Sequence, residues 1–290
     1  MPQFIYATSL FLNSLTAVLV KMFGGIPVYD LILMRSFFSF LFLTPFILYT
    51  KEYTKIKKTN IKLNVVSSLL IVFAILCYHT GNRHVPINSS AVINSLMPIT
   101  IVIFSAIYMR EKISKQLYIA VLFCTATVFV VAKPKAGNLN FGYILLFGDI
   151  IAYSVAMLIK KKIMNSQSVL LTVYINLIIF IPITFYLSGY NYQFLFDIKM
   201  IKIGLLISCI YVVEFFLLHL AYSKYDAGKL QPVRFFRIVY AVALSYLVLH
   251  EQPRQEQVIG ACLIVIANII ILRIESNRKT KSITEDNTVG

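Results

Sequence analysis

The sequence predicts an all-α polytopic membrane protein: ten transmembrane helices in two inverted five-helix repeats, with both termini inside. Three observations predict it. Long apolar blocks alternate with short lysine-rich gaps along the chain. When the blocks are counted as crossings, most of the basic residues fall on one side of the membrane. The two halves also share their hydropathy pattern after a shift of 140 residues.

Composition bounds the class. The 290 residues are 59% hydrophobic and only 13% charged, with a mean hydropathy of +0.79. A soluble domain needs a more charged exterior than this. The net charge of +15 sits in the gaps, where cytoplasmic membrane loops carry it. It therefore points to a lipid bilayer and not to a nucleic acid. Cys77, Cys124, Cys209 and Cys262 each fall in an apolar run, with no CxxC pair and no zinc-ligand spacing, so no metal or cofactor is expected. The first apolar run lacks a small-residue cleavage site before a polar domain and is expected to be retained as a span.

The spans are expected at 3–23, 28–49, 63–82, 87–108, 116–132, 141–159, 168–187, 201–222, 232–249 and 257–274. Each is close to the roughly 20 residues that a bilayer core requires. Backbone groups in lipid must bond within their own helix or barrel, and these runs exceed the roughly 9–11 residues of a barrel strand. With the N-terminus inside, inner loops and tail hold 17 of the 27 basic residues. They include Lys51 to Lys62, Arg110 to Lys115, the run Lys160–Lys162, Lys224, Lys229 and the tail from Arg273 to Lys281. The outer gaps and helix ends hold seven: Lys21, Arg83, Lys133, Lys135, Lys199, Lys202 and Arg254. Arg35, Arg234 and Arg237 lie within or at the start of spans.

The shift of 140 residues places Ser14 on Ser154, Lys21 on Lys161 and Glu111 on Glu251. The halves are expected at 1–135 and 136–274, with a polar cytoplasmic tail at 275–290. Five helices is an odd number, so the halves face opposite ways. That is a common plan of secondary transporters.

Charges within spans are costly and face a protein interior or a water-filled cavity. Arg35, in the second span, is a candidate for a substrate carboxylate or phosphate, or for a structural ion pair. Glu214, in the eighth, is a candidate for a substrate ammonium, a coupling proton or an arginine partner. His219 lies five residues further on and reads as a satisfied helix polar group or a coupling residue. Arg234 and Arg237, three apart, share a helix face. On this reading Arg234 snorkels to the inner surface, and Arg237 is deeper and the better cavity residue. A Glu214–Arg237 pair would be breakable by substrate or proton. Pro98 frees the carbonyl of Asn94 four residues earlier, opening the fourth span near the midplane. Tyr78, Tyr211, Tyr222 and Tyr240 are candidates for stacking on a flat or cationic substrate. There is no GxxxxGK[ST] loop, no GxSxG elbow and no HExxH helix.

In these features the chain resembles the EamA group of the drug/metabolite transporter superfamily, over essentially its whole length. The resemblance rests on the two five-helix halves, FFSFLFLTPFIL after Arg35 and AVINSLMPITIVIFSAIYMREKIS at 91–114. The second half echoes it in LQPVRFFRIVYAVALSYLVLHEQP at 230–253. Arg35, Pro98 and the closing glutamates Glu111 and Glu251 match the family pattern, whereas Ile238 stands where the proline would repeat. The second half looks like the branch of riboflavin and S-adenosylmethionine uptake carriers. The resemblance implies a gradient- or exchange-driven carrier in the bacterial inner membrane, with a central cavity.

The expected function is therefore secondary transport of a small charged or zwitterionic metabolite, amino-acid-like, coupled to a proton or counter-substrate, by a monomer or homodimer. S-adenosylmethionine uptake is the alternative. A membrane enzyme would need convergent acid and base groups, and His219, Lys224 and Asp226 are a poor set. A channel would need a polar stripe through the bundle, and the polar sites here are isolated.

Overall fold

Helix starts are written into the gaps between apolar blocks. Asn60 accepts a hydrogen bond from the Leu63 N–H, Asn140 from Gly142, Ser168 from Leu171 and Asp197 from Lys199 and Met200. Each such cap satisfies a donor the helix cannot and contributes about 1 kcal/mol. A computed structural model describes residues 2–23, 26–85, 87–132, 140–250, 252–253 and 255–270. Its helices are α1 (Pro2–Met22), α2 (Val28–Tyr49), α3 (Ile61–His84), α4 (Ile87–Asn94), α5 (Met97–Tyr108) and α6 (Lys115–Ala132). Then come α7 (Phe141–Met164), α8 (Val169–Leu187), α9 (Ile198–Lys224), α10 (Ala227–Arg234) and α11 (Phe236–Leu249), and α12 (Gln255–Ile270). No strand occurs among the described residues. Seven helical stretches are long and apolar enough to cross a membrane, the last being α10 with α11, and three shorter apolar helices accompany them. Glu251, Lys133, Lys135, Arg254, Arg273 and the tail 275–290 lie outside the described residues.

Three expectations change. The fourth span is two helices, broken at Ser95 and Leu96, with Pro98 in the first turn of α5, where a missing N–H costs nothing. The ninth span starts at Ala227, not at 232. The sixth continues to Met164, so Lys160 and Lys161 are buried helix residues and not loop residues.

Shifting the bounds of α4 by 140 gives the bounds of α10. Packing repeats in the same way. Under this shift α1 corresponds to α7, α2 to α8 and α3 to α9. The contacts α1–α9, α1–α11 and α2–α9 then have mates in α7–α3, α7–α5 and α8–α3. The core fills the centre of the bundle, with Tyr6, Ile47, Ile101, Leu146, Met157, Leu171 and Tyr222 fully buried. Phe46, Ile107, Ile119, Ile144 and Leu247 face outward, more than half exposed, as lipid-facing residues do.

Polar contacts fix the helices laterally. Ser68 donates to Asn176 Oδ1 at 2.6 Å, and Asn64 to Gln167 Oε1 at 3.0 Å. Such interhelical bonds average about 0.6 kcal/mol. Gly204 lets α9 approach α2, because a Cβ there would lie 2.7 Å from the Phe38 ring.

Candidate functional site

The broken helices build the site. Where α4 gives way to α5, and α10 to α11, the helix tightens to i−3 hydrogen bonds, Ser95 to Val92, Leu96 to Ile93 and Phe235 to Pro232, and polar side chains flank each irregularity. A cavity of about 620 Å³ opens there, within the size range of small-molecule sites. Its walls include Tyr78, His79 and Asn82 of α3, Ser90 and Asn94 of α4, Pro98 of α5, Arg234 of α10, and Arg237 and Ile238 of α11. Asn94 and Arg234 are repeat equivalents, as are Pro98 and Ile238. The cavity thus follows the internal symmetry in position but breaks it in charge.

Arg234 ends α10 and is half-buried. Its guanidinium lies 5.1 Å from the centre of the Tyr153 ring, and Nη2 donates to Met97 Sδ at 2.7 Å. Arg237 is exposed and lines the cavity wall. Arg234 is thus the more buried of the two, although Arg237 stands three residues further along the span. Because the ninth span begins at Ala227, five residues earlier than expected, Arg234 is its eighth residue, about 10.5 Å along the axis at 1.5 Å per residue.

Arg35, Tyr211 and Glu214 form a second cluster beside the cavity, among α1, α2 and α9. The Arg35 guanidinium stacks over Tyr211 at 4.0 Å, and Tyr211 stacks on Phe215 at 5.1 Å. Ser208 donates to the Arg35 carbonyl at 3.1 Å, which fixes the backbone of α2 beneath the guanidinium. Glu214 is 6% exposed and accepts a hydrogen bond from Asn13 Nδ2 at 3.0 Å. The conditional Glu214–Arg237 pair is not formed within ion-pair distance; the charge of Arg237 reaches Glu214, while Asn13 of α1 is its hydrogen-bond partner. Ser14, one residue on, donates to the Arg237 carbonyl at 3.2 Å and ties α1 to α11.

His219 is fully buried, and its Nδ1 lies 2.8 Å from the Phe215 carbonyl. Tyr240 packs edge-on against Phe11, away from the cavity. Asn94 donates to the Ser90 carbonyl at 3.3 Å and lines the cavity.

The sequence reading missed several groups. Asp149 of α7 is 5% exposed, and the charges of Arg234 and Arg237 reach it. Its signal was a carboxylate within the apolar stretch LLFGDIIAY. His79 and Asn82 line the cavity from the end of a span read as apolar. Among the described residues no group of three His, Cys, Asp or Glu side chains has metal-binding geometry.

The arrangement suits a charged organic solute. It offers the cations Arg234 and Arg237, amide and hydroxyl groups from Asn82, Asn94, Ser90 and Tyr78, and a largely apolar remainder that includes Pro98, Phe235 and Ile238; Glu214 and Asp149 are buried carboxylates.

Similarity to known proteins identifies the family. The EamA-like transporter family matches residues 3–133 and again 140–273. The S-adenosylmethionine uptake transporter of Rickettsia bellii is 23% identical over 286 residues, covering 96% of this chain and 95% of its own. Its counterpart in Rickettsia prowazekii is 23% identical, covering 96% and 93%. The pseudopaline exporter of Pseudomonas aeruginosa is 19% identical, covering 89% and 91%. A solved crystal structure superposes with a TM-score of 0.76 at 15% identity, covering 96% of this chain and 98% of its own, a likeness of fold. The chain belongs to the EamA-like transporter family and is a multi-pass membrane transporter, not an enzyme.

Proposed function

We propose that the chain is a secondary active transporter that moves a small charged or zwitterionic organic metabolite across the bacterial inner membrane by alternating access. It does so with ten spans, N- and C-termini inside, in two inverted halves. The observation that carries this is the cavity at the two broken helices, with Arg234 and Arg237 on its wall. Broken helices at the midplane are where carriers of this plan bind substrate. Breaks at equivalent positions and mated helix contacts support the inverted repeat. The three shorter apolar helices complete a count of ten with the seven longer stretches.

Arg234 and Arg237 suit a carboxylate. Glu214 and Asp149 suit an ammonium or sulfonium group, or a coupling proton. S-adenosylmethionine carries all three substrate charges, and the Rickettsia relatives favour its uptake as the specific reading. The exporter relative leaves direction to experiment.

The test is a vesicle uptake screen. Membrane vesicles containing the chain are offered labelled S-adenosylmethionine, riboflavin and individual amino acids. Saturable uptake of S-adenosylmethionine, competed by the unlabelled compound, supports the specific reading. Uptake of another charged metabolite instead retains the carrier and replaces the substrate. Uptake of none, by vesicles of either orientation, overturns both.

A further inference from the structure

Arg234 lines the cavity, and beyond it, toward the C-terminal end of α5, Tyr222, Ala227, Leu230 and Gln231 are fully buried. At that end Glu111 follows α5 and reaches across to the first turn of α10. Its Oε1 accepts the Ala227 N–H at 2.9 Å, and its Oε2 accepts the Gly228 N–H at 2.9 Å. Lys161 of α7 lies 2.8 Å from Glu111 Oε1 and donates to the Tyr225 carbonyl at 2.6 Å. The Glu111 side chain is only 6% exposed. A carboxylate at a helix N-terminus is favoured by the free N–H groups and by the helix dipole. Here one carboxylate, one ammonium and one helix end join the two halves of the chain. Gly228 makes the approach possible, because a Cβ there would lie 2.5 Å from Ile113 and 2.7 Å from Ser105 Oγ.

Between this clasp and the cavity floor lies a buried polar interior. Tyr222 is its centre: Tyr6 packs edge-on against it, and Gln231 Nε2 donates to its hydroxyl at 3.1 Å. Tyr6 Oη, Gln231 Oε1, His219 Nε2 and Lys160 Nζ are all buried without a hydrogen-bond partner among the described residues. They are four of the ten such atoms among the described residues, and each carries a desolvation cost. Opening the region to water would give them partners.

We propose that this interior is the shut half of the translocation path, and that the Glu111–Lys161 clasp on the N-terminus of α10 is the latch that keeps it shut. This rests on the transporter reading. It assigns Tyr6, Tyr222 and Gln231 to the path and makes Glu111 a positioning residue: it holds one end of α10, while Arg234 stands at the other end in the cavity. Substrate charge drawn to Arg234 acts on the same eight-residue helix that Glu111 restrains. The latch lies on the inner side in the proposed orientation.

The test needs no substrate, so its failure is distinct from failure of the transporter reading. Cys77, Cys124, Cys209 and Cys262 are replaced by serine, and Gln231→Cys is introduced as a reporter between the latch and the cavity. A membrane-impermeant maleimide is then applied to vesicles of each orientation. With Glu111 in place, labelling from the α5 C-terminal face is slow. With Glu111→Gln it rises about tenfold on that face, the factor that a loss of about 1.4 kcal/mol would give. Unchanged labelling, or a rise confined to the opposite face, overturns the latch. Should Glu111→Gln fail to accumulate in the membrane, Glu111→Asp, which keeps the charge but shortens the reach, is read by the same two outcomes.

Discussion

Arg234 and Arg237 are three residues apart and chemically identical, so they test the site's geometry. Arg234→Gln removes a half-buried charge held over Tyr153 at 5.1 Å and against Met97. Hydrogen bonds involving a charged group are worth about 1.5–3 kcal/mol, and 1.4 kcal/mol is tenfold. Arg234→Gln should therefore reduce transport efficiency about 10- to 150-fold. Arg237 is exposed, and exposed charge pairs are worth only about 0.2–1 kcal/mol, so Arg237→Gln should cost about 1.5- to 5-fold. The assay is initial uptake rate against substrate concentration at matched membrane abundance, giving kcat/KM for each variant. Equal losses, or a larger loss at Arg237, would refute the placement of Arg234 at the cavity floor.

Other perturbations separate transport from architecture. Glu214→Gln should abolish uptake or change its pH profile, read by uptake across a pH series; an unchanged profile reduces the residue to packing against Asn13. Gly204→Ala should lower the detergent-solubilised Tm, since overpacking costs about 1–3 kcal/mol and the new methyl meets Phe38. At the loop before α3, burial pushes the Glu52 carboxyl up, but hydrogen bonds from Lys55 and Ser168 and the Lys55 charge outweigh it and leave it below its ordinary 4.5. A lowered carboxylate stabilises the fold above its unfolded value and loses that contribution as pH falls through the folded value. The Tm deficit of Glu52→Gln at pH 7 should therefore shrink below about pH 4.5 and vanish in stronger acid; a deficit constant with pH contradicts this.

Helix positions were legible where hydropathy dominates, and Pro98 announced the break in the fourth span. The matching break at Phe235 was not legible, because no proline follows it and AGKLQPVR looks like loop to any hydropathy window. That short polar helix is held by Glu111, 116 residues earlier in the chain, a long-range contact that local pattern does not encode. Hiding α10 also hid the burial of Arg234. A triple-lysine run reads as solvated charge, yet Lys160 and Lys161 turn inward because α7 continues past them. Arg35 and Glu214 were legible as lone charges in apolar runs. Their partners, Tyr211 and Asn13, were set by packing and not by spacing.

Carrier transport itself is tested most directly by counterflow. Proteoliposomes containing the chain are loaded with an unlabelled charged metabolite, such as S-adenosylmethionine, and diluted into a trace of the labelled compound. A carrier that presents one site alternately to each side predicts a transient rise of internal label above the external concentration, lost in Arg234→Gln. Label that only equilibrates, with no overshoot for any metabolite the vesicles take up, would contradict alternating access.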